Sequence, residues 1–234
     1  MAQADLTFLT DGLDIANVDR GVTAGQTPPA GGGTFVFGFN SLQVVTGAVG
    51  LFGNQTNFAP MAKGGSVRAA IKRGTSGGTT GWAPFIFIGL QGGSVNDNGY
   101  LLGIQDTDPP HIILRKGTVV AGLATGTPDP AVNQILTRST DAVAIDDWIH
   151  LRLDMVVNTS GDVILKVFRN DLTVNDVDAA IWESIPGMAD FTDDSLGINT
   201  GSAPFTSGRA GFAHQNSDVT RRSFFDHVEI LRQL

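Results

Sequence analysis

Residues 147–171 read DWIHLRLDMVVNTSGDVILKVFRND, two runs of alternating apolar and polar side chains joined by a short turn. Side chains of an extended strand point to opposite faces in turn, so a period of two predicts strands. Asn, Thr, Ser and Gly at the join are turn formers. The result is a β-hairpin with two unlike faces. Ile149, Leu151, Leu153, Met155 and Val157 share one face with Val163, Leu165 and Val167. Trp148, His150, Arg152 and Asp154 share the other, opposite Ile164, Lys166 and Phe168. An apolar sheet face must be buried against another layer, so this hairpin demands a second sheet or helices to cover it.

The rest of the chain points to a second sheet. Short strand-like runs at 34–45, 66–74, 83–91, 99–106, 111–120, 208–215 and 222–234 are separated by turn clusters such as GTSGGTTG. Of 23 acidic residues only Glu183 and Glu229 are glutamate, and Asp favours turns where Glu favours helices. One helix is expected, in DVDAAIWESI at 176–185, stopped by Pro186. Longer irregular pieces are expected at 46–65, 121–146 and 172–207, and residues 1–33 as an initial strand followed by a loop arm. A parallel sheet would need a helical crossover between successive strands. The expected fold class is therefore all-β, an antiparallel β-sandwich or barrel. No repeat or composition shift divides residues 1–234, so they are expected to form one domain.

Charge and composition narrow the partners. A net charge of −8 opposes binding to nucleic acid or to anionic membrane surfaces. No run approaches the length of a membrane helix, so no membrane insertion is expected. There is no cysteine, which excludes disulfides and thiolate–metal sites. MAQADLTFLTDG lacks the basic and apolar regions of a signal peptide.

The order of features after residue 99 resembles the concanavalin A-like lectin/glucanase jelly roll, especially its laminin G-like branches. Those features are Trp148 opening a strand, Asn170-Asp171 closing the hairpin, GRAGF at 208–212, and Asp226 in the last strand. The resemblance implies a jelly-roll sandwich. That fold hosts lectins, hydrolases, lyases, adhesion modules and virion proteins, so function must be argued from a site.

The polar row supplies one candidate. An aromatic ring flanked by planar hydrogen-bonding groups suits a sugar, which makes Trp148, His150, Arg152, Asp154 and Lys166 the candidate ligand-binding residues. The alternative is a solvated, ion-paired face. Catalysis has less support. Retaining glucanases of this fold carry Glu-x-Asp-x-x-Glu on one strand, and this chain has no such segment, although Asp146, Asp147 and Asp154 lie close together. No Gly-x-Ser-x-Gly elbow marks a nucleophile. His111, His150, His214 and His227 show no metal spacing. Calcium is the one cofactor these residue types suit, with Asp97, Asp106 and Asp108 as candidate ligands around the strand at 99–106. Phe224 and Phe225 are consecutive, so one must face away from the interior, and an exposed ring there would mark a contact with another chain.

The leading expectation is a non-enzymatic structural or interaction protein. It would sit in a larger assembly, such as a bacteriophage virion surface, as a homo-oligomer or with other protein chains, and reach the exterior by host lysis. The alternatives are a carbohydrate-binding module with a glycan partner, and a glycan hydrolase or lyase.

Overall fold

The computed structural model describes residues 2–8, 26–27, 42–45, 50–53, 64–74, 82–92, 97–105, 107–118, 133–145, 147–170, 181–216 and 222–233. Among these, the strands are β1 (Ala2–Phe8), β2 (Gln26–Thr27), β3 (Leu42–Val45), β4 (Gly50–Gly53), β5 (Gly64–Arg73), β6 (Trp82–Leu90), β7 (Asn98–Ile104) and β8 (His111–Thr118). They continue with β9 (Asn133–Ala142), β10 (Trp148–Val157), β11 (Val163–Asn170), β12 (Trp182–Ser184), β13 (Phe191–Asp193), β14 (Arg209–Asn216) and β15 (Arg222–Gln233). All the pairings are antiparallel, and no described residue is helical.

The strands make two sheets. The nine-stranded sheet runs β12-β11-β10-β5-β15-β3-β2, with β1 added to β15 and β13 added to β11. The six-stranded sheet runs β4-β14-β6-β7-β8-β9. The first and last strands pair with each other, Ala2 opposite Gln233 and Phe8 opposite Val228.

The apolar row of the opening hairpin is core. Leu151, Leu153, Met155, Val163 and Leu165 are fully buried, and Ile149 and Val157 pack at the rim. They meet Ile86, Ile88, Leu102, Leu114 and Phe212 from the six-stranded sheet. Burying each such side chain contributes roughly 1.5–3 kcal/mol.

Two buried cations tie the sheets together, one toward each end of β7. Arg73, on β5, donates from Nη1 to the Gln105 carbonyl at 3.0 Å and the Thr107 carbonyl at 3.1 Å, just beyond β7. Lys116, opposite Tyr100 on β7, reaches Asp193 of β13 at 2.7 Å.

Several sequence expectations are corrected. The segment 176–185 is not helical where it is described: Trp182–Ser184 pair with β11, while 171–180 lie outside the described residues. Edge pairing outweighs the helix propensity of Glu183 there. The irregular pieces also contain strands, namely β4, β9 and β13. The alternation of β9 is blurred by two register shifts against β8, so a bulged edge strand reads as a loop. Neither Phe224 nor Phe225 is exposed. Phe225 packs on Phe212 with ring centroids 4.9 Å apart. Phe224 faces outward, where Trp148 lies 6.3 Å from it and the Lys72 ammonium sits 4.8 Å over its ring.

Candidate functional site

The sandwich has two outer faces, and they differ in chemistry. On the six-stranded sheet, Ala83, Phe85, Phe87, Leu90, Leu101, Ile113 and Ala213 form a second apolar cluster, and all are fully buried. Arg115 shares this face opposite Leu101, donates to the Thr118 carbonyl, and has its pKa lowered to about 10 by burial. This face offers no opening to a solute around those residues.

The outer face of the nine-stranded sheet is different. Register places Trp148 beside Lys72, and Lys72 beside Phe224. The next row runs Ala70, His150, Asn170 and Trp182. The row after that runs Glu229, Arg68, Arg152, Phe168 and Ser184. Asp154 and Lys166 follow as a direct pair. Among these, Trp148, Trp182, Phe168, Arg152 and Lys166 keep part of their surface open.

Arg152 organises the open part. Its Nε and Nη2 donate to the two carboxylate oxygens of Asp154 at 2.7 and 2.6 Å. Its guanidinium carbon lies 5.3 Å from the Phe168 ring and 5.8 Å from the Trp182 ring. A planar cation is thus held beside two aromatic faces and clamped by a bidentate carboxylate, the geometry that suits Arg and not Lys. The remaining guanidinium N–H groups can donate, and the carboxylate's free lone pairs can accept. A donor and an acceptor side by side, flanked by ring faces, match a sugar's neighbouring hydroxyls and apolar C–H surface.

The other candidate residues have different placements. His150 shares the face but is fully buried, 4.7 Å beneath the Trp182 ring and 3.5 Å from the Asn170 amide nitrogen. It packs against Trp182 with the rings tilted by 59° and does not reach the surface. Trp148 is half-buried against Phe224 and Lys72. Lys166 reaches Asp190 at 3.5 Å, and Arg68 pairs with Glu229. The cations Arg68, Arg152 and Lys166 are therefore each matched by a carboxylate.

Asp97 and Asp108 do not converge. Asp97 precedes β7, packed against Gly92, and Asp108 lies exposed beyond its other end. Seven strand residues separate them, a span of roughly 20 Å at the strand rise. Asp106 lies outside the described residues, and among the described residues no three metal-ligating side chains cluster.

Sequence reasoning missed two groups. Trp182 falls in the segment expected to be helical, and only its pairing with Asn170 puts it on the face. The second is a buried network. Tyr100 Oη donates to Asp193 Oδ2 at 2.5 Å and accepts from the Phe205 amide at 2.9 Å. Burial and then the adjoining Asp193 carboxylate raise the Tyr100 pKa far above its ordinary value. Residues distant in sequence meet there, and no local pattern announces them. A Ser–His contact also exists, His214 Nδ1 to Ser223 Oγ at 2.7 Å, but both residues are fully buried and join β14 to β15.

The sequence matches no family model and no curated protein. Solved structures do match it. The exoplasmic/lumenal domain of VIP36 in its Ca2+-bound form is 12% identical, with 97% of this chain and 90% of that one covered and a TM-score of 0.56. The Emp47p carbohydrate recognition domain is 11% identical, with 100% and 97% covered and a TM-score of 0.55. The Ca2+/Man-bound form of the VIP36 domain gives 15% identity, 100% and 92% coverage, and a TM-score of 0.53. The fold of this chain is the concanavalin A-like β-sandwich of lectin-type domains.

Proposed function

We propose that the chain is a non-enzymatic recognition module that binds glycan on the outer face of its nine-stranded sheet. The observation that carries this reading is the Arg152 centre, where the guanidinium is clamped by Asp154 and flanked by Phe168 and Trp182. Trp148 extends the aromatic surface on the same face. The carboxylates Asp154, Glu229 and Asp190 are each engaged by a cation. Glycoside hydrolysis instead requires two carboxyls working as an acid–base or acid–nucleophile pair across a bond. The fold match to the VIP36 and Emp47p domains is consistent with this reading. The test is a glycan array with the wild type, Trp148→Ala and Trp182→Ala, run in calcium and in EDTA. The wild type should bind a subset of glycans and both variants should lose them. Equal binding by all three proteins sinks this site, and release of reducing sugar by the wild type sinks the non-enzymatic assignment.

A second reading, a module of a larger assembly such as a virion surface, is favoured by one observation. Leu196 and Ile198 stand 81% and 75% exposed on a loop pinned at its base. Such side chains are common at protein contacts. Light scattering on the purified chain should then report an oligomer that Leu196→Ser/Ile198→Ser reduces to monomer. A wild-type monomer at all concentrations rejects self-assembly through this loop.

A further inference from the structure

The Lys116 ammonium lies in a shell of oxygens. Asp193 Oδ2 is 2.7 Å from Nζ, and Thr200 Oγ1, the Ser202 carbonyl and the Ala203 carbonyl are each 2.9 Å away. The Phe205 ring closes the shell with its centroid at 4.9 Å. Lys116, Asp193 and Thr200 are almost wholly buried. The remaining valences are satisfied too. The Thr200 hydroxyl donates to Asp193 Oδ1 at 2.7 Å, leaving a lone pair for the ammonium. Tyr100 donates to Asp193 Oδ2 as well.

A plain ion pair would need only Asp193. Here all four oxygens come from the single stretch 193–203, while the cation arrives from β8. A carboxylate, a hydroxyl and two carbonyls are the oxygen ligands that hard cations take. The stretch is braced as a loop that encloses an ion. Asp194 accepts from the amides of Leu196, Ile198 and Asn199 at 3.1, 2.9 and 2.7 Å. Gly201 N donates to the Gly197 carbonyl at 2.7 Å. The shell size selects among cations. Ca2+ takes six to eight oxygens at about 2.3–2.6 Å. Four oxygens at 2.7–2.9 Å fit an ammonium instead.

We infer that residues 193–203 form a cation-binding loop whose ion is the chain's own Lys116 ammonium. The loop is thereby organised without a divalent metal, and truncating Lys116 opens a site for a free ammonium ion.

The test uses the full chain and thermal unfolding. Wild-type melting should be unmoved by millimolar Ca2+ or EDTA. Lys116→Ala should melt lower, and ammonium chloride should restore part of the loss in a saturable way where choline chloride at equal ionic strength does not. A calcium-dependent wild type, equal responses of Lys116→Ala to ammonium and choline, or rescue by Ca2+ alone would each overturn the assignment. Should Lys116→Ala fail to fold in every salt, Thr200→Val decides, because it removes one shell oxygen and keeps both charges. Amide exchange at 197–203 should then accelerate at least tenfold relative to wild type, and unchanged exchange overturns the inference.

Discussion

Replacing Arg152 by lysine keeps the charge and removes the geometry. Two things are lost. The bidentate contact with Asp154 uses Nε and Nη2 together, and an ammonium cannot reproduce it. The cation–π contacts with Phe168 and Trp182 also weaken. The Arg152 side chain is about one-third exposed, at 34%, so its ion pair is discounted for solvent screening. A partly exposed pair contributes about 0.5–1 kcal/mol. Each cation–π contact at such a site contributes about 0.5 kcal/mol. Stability should therefore fall by about 1.5–2 kcal/mol, read as a lower urea midpoint with an unchanged slope. Glycan affinity should fall further, at least tenfold, because the paired donor and acceptor are what the hydroxyls meet. Calorimetric titration with a glycan that the array selects measures it. A variant of wild-type affinity refutes the assignment of Arg152 to the site. A stability loss above about 4 kcal/mol refutes the small contribution worked out for these contacts.

Other consequences are as direct. Leu153→Ala, in the fully buried inner row, should cost about 2–5 kcal/mol in urea unfolding, and a cost below 1 kcal/mol would mean the row is not core. Gly64 has φ +102°, and a Cβ there would lie 2.1 Å from the Met155 carbonyl oxygen, so Gly64→Ala should be lost to the insoluble fraction or melt far below wild type. Asp162 and Asp194 have carboxyl pKa values held below the ordinary 3.8, chiefly by the Asn158 amide and by the Ile198 backbone N–H respectively. A carboxylate with a lowered folded-state pKa stabilises above the unfolded value and loses that stabilisation as pH falls through the folded one. Amide exchange at 195–199 should thus speed up below about pH 3.8, and Asp194→Asn should flatten that dependence.

The hairpin at 148–170 was legible because its signal is local. A strict period of two, a turn sequence and one apolar face give strand, register and core together. The same rule fails where the face is not uniformly wet. His150 occupies a polar position in the alternation yet is buried, and the Trp182 ring, two strands away, packs against it. Trp182 itself was illegible as strand because its segment has helix-forming neighbours and only three paired residues. The pairing of Arg152 with Asp154 follows from their spacing on one strand, whereas the stacking with Trp182 depends on the edge of the sheet. Lys116 and Asp193 gave no signal at all, since their meeting depends on how two sheets are superposed.

The pairing of β1 with β15 has a mechanical corollary. Ala2 lies opposite Gln233, so the start of β1 and the end of β15 lie side by side. Tension applied between those ends does not load the strand-to-strand hydrogen bonds in parallel. It opens them one after another from the Ala2–Gln233 end, as a zip opens, and each bond meets the force alone. A module strung by both ends in a fibre would yield at low force and shed β1 first. A module that must carry load needs its partners to grip the sandwich elsewhere.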